Sequence, residues 1–151
     1  MLEYYRIRGD VLPPARSNPS DAGLDVYFCP ADQKATVIEP NGNQVLGTGL
    51  KFGVPHGYML QAMNRSGMAS KRCLVVGAHC IDSGYDGEVF IDLHNIGESA
   101  QLIEAGTKIA QLVLVPVIIF RAIETREDKL YDWSPITISS RGAGGFGSTG
   151  A

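Results

Sequence analysis

The sequence lacks the features that mark several large classes of protein. It has no cluster of lysine and arginine, and its formal net charge is −3, so we expect no nucleic-acid partner. Its three cysteines, Cys29, Cys73 and Cys80, include no C-x-x-C pair. Reduced thiols are therefore expected, in the cytoplasm or in the host cytoplasm of a viral protein. A zinc site built on His79 and Cys80 is disfavoured, because no further ligands have suitable spacing.

Long apolar runs and helical periodicity are also scarce. The longest apolar run, Leu112–Phe120, contains Pro116 and is too short to span a bilayer. The opening residues, Met1–Asp10, carry charges and lack the apolar stretch of a signal peptide. We therefore expect no membrane contact. The one predicted helix is short, over Ser66–Arg72, with Ser66 as its candidate cap.

What the sequence does contain is alternation with a period of two, which is typical of half-buried strands. One face of each predicted strand is apolar: Leu24, Val26 and Phe28; Tyr58, Leu60 and Ala62; Val89, Ile91 and Leu93. Turn signals such as Asn41-Gly42 and Gly106-Thr107 separate these segments at short intervals. The 151 residues, 44% of them hydrophobic, predict one all-β domain, either a sandwich or a barrel.

The character of the chain changes towards its end. Residues 112–123 are apolar and β-branched, which favours a core strand or a subunit interface. Beyond residue 125 the chain becomes charged and then rich in glycine, with little to bury. We therefore predict a β core domain over 1–125 and a flexible C-terminal arm over 126–151 that orders only when it docks.

Two segments could carry chemistry. The first, Arg141–Gly150, has glycines whose backbone N–H groups can converge on an anion, together with a cationic and an aromatic side chain. Its alternative is a disordered glycine tail. The second is the turn between the predicted strands Leu74–Ile81 and Glu88–Leu93, which brings Asp82 near Tyr85. A carboxylate there could orient water and a tyrosine could face a sugar or a base, although an ordinary acidic turn has the same letters.

Three further segments are more often structural than functional when taken singly. Arg65–Ala69 opens the predicted helix, where anions are favoured. Gly106–Gln111 enters a buried strand, and its polar Gln111 needs a hydrogen-bond partner. Asp21–Asp25 ends on the polar face of a strand.

These five segments, in this order, resemble the five motifs of the trimeric dUTPase family: Asp21–Asp25, Arg65–Ala69, Gly77–Glu88, Gly106–Gln111 and Arg141–Gly150. The resemblance spans nearly the whole chain. It implies a jelly-roll-like β fold and a homotrimer whose active sites are shared between subunits. It also implies Mg²⁺-dependent hydrolysis of dUTP to dUMP and pyrophosphate, which supplies dUMP and limits the incorporation of uracil into DNA.

The resemblance also implies roles for individual residues. Asp82 would orient the attacking water, Tyr85 would pack on the deoxyribose, and Asp25 would hold hydrated Mg²⁺ through water. The backbone around Gly77, Ala78 and Ile81 would read the uracil, and the phosphates would be bound by Arg65, Ser66, Gly67 and Gln111. The arm would close over the ligand with Phe146 on the uracil, and its other binding residues would be Arg141, Gly147, Ser148 and Thr149.

The sequence differs from the usual family pattern at several positions, and two other assignments are possible alternatives to a dUTPase. Family members usually carry arginine or another residue at Asp86, arginine at Lys108, proline at Asn64 and a small residue at His79. A dCTP deaminase has a similar fold, but its pattern, with a glutamate acting on the base ring, finds no match. A regulatory protein that uses the nucleotide site as a switch, with an unknown partner, is the alternative from another class.

Overall fold

The computed structural model describes residues 1–125, which form β-strands and one short helix. In chain order the elements are β1 Glu3–Arg6, β2 Leu24–Tyr27, β3 Thr36–Ile38, β4 Asn43–Gly47, β5 Leu50–Gly53, β6 Tyr58–Met63, α1 Ser66–Arg72, β7 Leu74–Val76, β8 Cys80–Ile81, β9 Phe90–Asn95, β10 Gln101–Ile103 and β11 Lys108–Pro116. The all-β prediction is confirmed for this part of the chain.

The strands pair in four antiparallel groups. The largest sheet has the order β2-β11-β6-β8, and a three-stranded sheet has the order β4-β9-β7. Two further pairs, β1-β5 and β3-β10, complete the arrangement. Neighbours in each sheet are distant along the chain, so these sheets bring the sequence motifs together.

The predicted alternation determines which side chains form the core. In β9 and the residue before it, Val89, Ile91 and Leu93 are at most 1% exposed, while Phe90, Asp92 and His94 face outwards. In β6, Leu60 and Ala62 are buried as expected, although Tyr58 at the end of the same face is exposed. Burial of these apolar surfaces is the main stabilising term of the fold.

Two buried polar residues join neighbouring elements without losing hydrogen bonds. Thr48 donates its hydroxyl to the carbonyl of Val89 at 2.7 Å and accepts from the N–H of Leu50 at 3.2 Å. Asn95 donates to the carbonyls of Ile38 and Ser99. Because each group is paired, their burial carries little of the penalty expected for unpartnered polar atoms.

Two predictions about elements need correction. The helix spans Ser66–Arg72 as predicted, but its N-cap is Arg65, without a side-chain capping bond, and not Ser66. The predicted hairpin strand Leu74–Ile81 is broken into two. β7 pairs with β9, whereas β8 leaves that sheet and pairs with β6, because the chain crosses between sheets at 77–79.

The apolar segment 112–123 is not a core strand along its length. β11 ends at Pro116, and within this segment only Leu112 is buried. Large apolar side chains beyond β11 are exposed, Phe120 by 82%. The alternative, a subunit interface, stays a prediction.

The chain divides into two units, Met1–Ile119 and Phe120–Ala151. The first contains all the elements above. Of the second, residues 120–125 are described, so the predicted boundary after residue 125 stays a prediction. No helix within residues 1–125 has the length and apolar character needed to cross a membrane.

The packing at Gly49 can be tested by measuring stability. Its φ is +69°, and a Cβ there would overlap the Cγ2 atom of Val11, which is 1% exposed. We expect Gly49→Ala to lower the free energy of unfolding by about 2–4 kcal/mol through strain and overpacking. Gly57→Ala is the matched control, since Gly57 has φ +83° but nothing within 4 Å of an added Cβ. Equal losses of stability in urea unfolding of the two variants would contradict the packing argument.

Candidate active site

Three sequence motifs meet in one cavity of about 300 Å³ at the start of α1, here called the helix cavity. Its lining comes from the loop before β2, from β2 itself, from the first residues of α1 and from β11: Ser17, Asp21, Ala22, Gly23, Asp25, Arg65, Ser66, Gly67 and Gln111. The pairing of β11 with both β2 and β6 brings these segments together.

Asp25 is the electrostatic centre of the helix cavity. Its side chain is 13% exposed and bonds Arg65 Nε at 2.9 Å and Lys108 Nζ at 2.7 Å. Burial raises the pKa of Asp25, but the hydrogen bond from Lys108 and the charges of Arg65 and Lys108 outweigh it, so this pKa lies below its ordinary value. Asp25 is therefore ionised at neutral pH and fixes both cations.

The ion pair orients Arg65 towards the cavity. Because Nε faces Asp25 and Nη1 donates to the carbonyl of Lys108 at 3.4 Å, the outer edge of the guanidinium remains available to an anion. Gln111 donates to the carbonyl of Asn64 at 3.0 Å, which supplies the partner that its sequence context required. Gly23 leaves room for Gln111, since an added Cβ would lie 2.8 Å from Oε1.

The donor set fits a hydrated Mg²⁺ ion better than a directly ligated one. Both Asp25 oxygens already bond a cation, and a carboxylate has about four acceptor positions, so room remains for a metal-bound water. Among residues 1–125 no group of three or more histidine, cysteine or acidic side chains could hold a metal. Mg²⁺ commonly keeps several waters and takes phosphate oxygens, which suits this arrangement.

We call residues 82–87 the crest. A second cavity of about 230 Å³, the crest cavity, lies beside them. It is lined by β8, the crest and the start of β9: Cys80, Ile81, Asp82, Tyr85, Glu88, Val89 and Phe90. Asp82 and Tyr85 share one turn, in which the Tyr85 N–H donates to the Asp82 carbonyl at 3.3 Å. The predicted closeness of these two residues is confirmed.

The crest is fixed by polar contacts at its far end. Tyr85 donates its hydroxyl to the carbonyl of Glu88 at 2.8 Å, and Lys51 donates to the carbonyl of Asp86 at 2.9 Å. A Cβ on Gly87 would overlap the Tyr85 ring, so glycine is needed there. These contacts orient the half-exposed Tyr85 ring along the crest cavity.

Cys80 and His79 interact with protein groups beside Asp82. The Cys80 thiol lies 3.3 Å from Asp82 Oδ1, and this hydrogen bond raises the pKa of Cys80 above its ordinary value. The thiol is therefore not an activated nucleophile. His79 directs Nδ1 to the carbonyl of Ala62 at 2.8 Å, so its side chain lies against β6.

The helix cavity and the crest cavity are separate, and no residue lines both. β8 runs antiparallel to β6 with Ile81 opposite Leu60, so Asp82 lies level with Met59. Arg65 lies six residue steps beyond Met59, and that length of extended chain spans about 20 Å. One described chain therefore does not bring the carboxylate of Asp82 to the cations of the helix cavity.

A third cavity, about 820 Å³ and larger than the helix and crest cavities, lies between β1, β5 and the crest. Its lining includes Tyr4, Tyr5, Phe52 and Tyr85, and its one cation, Lys51, is already bonded to Asp86. Because it contains none of the phosphate-side motif residues, size alone does not make it the active site.

The structure brings together Asp25, Arg65, Ser66, Gly67 and Gln111 in the helix cavity, and Ile81, Asp82 and Tyr85 in the crest cavity. Gly77 and Ala78 lie at the crossing between β7 and β8. The predicted arm residues lie outside the described residues: Arg141, Phe146, Gly147, Ser148 and Thr149.

Two residues that support the helix cavity were not predicted from the sequence. Lys108 was noted only as a departure, yet it bonds Asp25, and it also donates to Ser17 at 3.3 Å. Both residues are distant from Asp25 or Arg65 in sequence. The pairing of β2 with β11 brings Lys108 to Asp25, and the bridge between Ala15 and Asp25 brings Ser17 there.

Comparison with known proteins places these features in one family. The dUTPase family model matches residues 11–150. The chain is 38% identical over 139 residues to a deoxyuridine 5'-triphosphate nucleotidohydrolase of Anaplasma marginale, covering 91% of this chain and 88% of the relative. It is 39% identical over 140 residues to the Brucella melitensis protein of the same name, covering 91% and 83%.

Solved structures agree with this assignment. The dUTPase of Staphylococcus bacteriophage 80alpha with dUpNHpp has a TM-score of 0.83 and 28% identity, covering 100% of this chain and 99% of that one. A variant dUTPase from phage phi11 of S. aureus, described with a structural Mg(II) ion, has a TM-score of 0.75 and 25% identity, covering 85% and 99%. The jelly-roll-like fold implied by the motifs is thereby confirmed.

The partly buried ion pair predicts a specific pH dependence. Because the folded-state pKa of Asp25 is depressed, its stabilisation is complete above the ordinary carboxyl value, 3.8, and is lost as pH falls through the lower folded value. Asp25→Asn should therefore cost about 1–3 kcal/mol of unfolding free energy at neutral pH, and the difference should vanish only below pH 3.8. Asp32, whose side chain is 59% exposed, is the control: urea unfolding of Asp32→Asn should show no such pH-dependent difference from wild type. A loss of stability in Asp25→Asn that does not change with pH would contradict the argument.

Proposed function

The chain belongs to the dUTPase family, and we propose on that premise that it hydrolyses dUTP to dUMP and pyrophosphate with Mg²⁺ as its cofactor. The observation that carries the proposal is the pair of motif cavities, one presenting oriented cations and the other a carboxylate beside an aromatic ring. Such a reaction would supply dUMP and would limit the incorporation of uracil into DNA. We propose the cytoplasm, or the host cytoplasm, as its compartment.

The crest cavity is proposed to bind the nucleoside. Its volume, about 230 Å³, suits a base with its sugar better than a whole nucleotide. The backbone of Gly77, Ala78 and Ile81 would read the uracil edge through N–H and C=O groups. The Tyr85 ring, held by Glu88, would pack on the deoxyribose and leave no space for a 2′-hydroxyl group.

Asp82 is proposed as the catalytic base. Its carboxylate would accept a proton from the water that attacks the α-phosphorus while pyrophosphate leaves on the opposite side. The hydrogen bond from the Cys80 thiol at 3.3 Å restricts the rotation of the carboxylate. A positioned base of this kind typically contributes a factor of ~10²–10⁴ to the rate.

The helix cavity is proposed to bind the phosphates. Arg65, Ser66, Gly67 and Gln111 would donate to phosphate oxygens, and the ion pair with Asp25 keeps the guanidinium in one orientation, which reduces the ordering needed on binding. Mg²⁺, held by the phosphates and through water by Asp25, would offset the charge that develops on the phosphate oxygens. The C-terminal arm is proposed to close over the ligand and exclude water.

The separation of the two cavities supports a shared site. Since about 20 Å of strand lies between Asp82 and Arg65, a complete site would take its crest from one copy and its helix cavity from another. We propose a homotrimer, in which a closed threefold ring gives three equivalent sites. The exposed apolar residues beyond β11, including Ile118 and Phe120, would then be covered by neighbouring subunits.

The decisive experiment measures pyrophosphate release from dUTP, dCTP, dTTP and UTP by the wild-type protein and by Asp82→Asn. We expect a strong preference for dUTP and, for the variant, a kcat lower by roughly 10²–10⁴ with dUTP still bound. Asp86→Asn, a change to a neighbouring exposed carboxylate, is the matched control. Equal turnover of dCTP, or ammonia release from it, would disprove the proposed substrate, and an active Asp82→Asn enzyme would disprove the proposed base.

A further inference from the structure

The chain crosses from the sheet that contains β9 to the sheet that contains β6. Both ends of this crossing are bonded to β6 or to Asn64, the residue that follows β6. β7 ends at Val76 in the sheet that contains β9, and β8 begins at Cys80 against β6. Between them, residues 77–79 pass from one sheet to the other. The backbone of this crossing makes two main-chain bonds, from the N–H of Gly77 to the carbonyl of Asp92 at 2.9 Å and from the N–H of Ala62 to the carbonyl of His79 at 2.8 Å. Side chains add to this hold.

Two side chains provide that hold. Asn64 Oδ1 accepts from the N–H of Val76 at 2.7 Å. His79 Nδ1 lies 2.8 Å from the carbonyl oxygen of Ala62, and the N–H of Ala62 donates back to the carbonyl of His79 at 2.8 Å. Because a carbonyl oxygen only accepts, Nδ1 must carry the proton. We call the Asn64 and His79 side chains the clasp.

The clasp acts on buried backbone. Val76 is 5% exposed and Ala62 is 1% exposed, so water does not readily replace a lost partner. β7 pairs with β9 on its other side, and the N–H of Val76 points towards Asn64 because that side of β7 has no partner strand among the described residues. The clasp therefore substitutes for a missing strand pairing.

The clasp also lies between the functional segments. Asn64 directly precedes Arg65, and its carbonyl accepts from Gln111 at 3.0 Å, so it contacts two residues that line the helix cavity. His79 lies three residues before Asp82 and within the segment Gly77–Ile81.

We propose that Asn64 and His79 are positioning residues that fix the segment Gly77–Ile81 against β6 and so determine how strictly the enzyme selects its base. This rests on the proposed function, in which that segment reads the uracil edge. Recognition by backbone groups requires the backbone itself to be held in register, because a loosened segment can turn its donors and acceptors towards other bases.

The clasp predicts effects on binding rather than on the chemical step. The crest that carries Asp82 is also held by contacts outside the clasped segment, from Lys51 to Asp86 and from Tyr85 to Glu88. Loss of a clasp bond should therefore raise KM for dUTP about three- to tenfold and lower the preference for dUTP over dCTP, with kcat changed by less than about threefold.

Matched variants of His79 test this in the full-length protein. In His79→Asn the side-chain amide occupies the position of Nδ1 and can still donate to Ala62, whereas in His79→Gln the amide lies near the position of Nε2. We expect His79→Asn to keep the wild-type KM and selectivity, and His79→Gln and His79→Ala to lose them. If His79→Asn is as impaired as His79→Gln, or if His79→Ala is unchanged, the proposal is wrong.

Asn64→Leu provides a second route that does not depend on nucleotide. Hydrogen exchange at the Val76 amide should become about tenfold faster in this variant than in wild type, as expected for one lost hydrogen bond. Faster exchange with unchanged KM and unchanged dUTP preference would refute the positioning role. A wild-type protein that fails to hydrolyse dUTP would instead refute the proposed function, and the exchange result would still report on the clasp.

Discussion

The register of β6 is the constraint on which the rest of the account depends. Its middle residues pair with β8 and its full length pairs with β11, so its two ends are fixed relative to each other. One end leads into Arg65 and the helix cavity, while the other lies level with Asp82. A hydrogen-bonded strand does not shorten, and about 20 Å of chain therefore lies between Arg65 and the residue of β6 that is level with Asp82.

Ion pairs and hydrogen bonds fix the orientation of the side chains at the two ends of β6. Asp25 orients Arg65 and Lys108 at 2.9 Å and 2.7 Å and offsets one of their two positive charges, so these cations are directed and not mobile. At the other end, Cys80, Tyr85 and Lys51 fix the crest through short polar contacts. Both halves are thus preorganised before a ligand arrives, which is the usual basis of electrostatic catalysis.

The sequence predicted local features well and long-range ones poorly. The alternation around Ile91 and the bounds of α1 follow from local periodicity, and both agree with the structure. The family followed from five short segments whose letters are specific in combination. The pairing of β8 with β6, and the role of Lys108 beside Asp25, depend on contacts between distant strands. Of the two interpretations of residues 112–123, a core strand along the whole segment was wrong, since only Leu112 is buried there. Apolar composition alone does not distinguish a core strand from an exposed apolar surface.

The central claim is that one active site takes Asp82 and Arg65 from different copies of the chain. Its most direct test mixes Arg65→Ala with Asp82→Asn, each inactive alone, by refolding them together in equal amounts. Random trimers with shared sites should regain about a quarter of wild-type pyrophosphate release from dUTP, because that share of sites receives both intact halves. Asp82→Asn mixed with Asp82→Ala should regain nothing. If the first mixture is no more active than its two parents, the site lies within one chain and the account is contradicted.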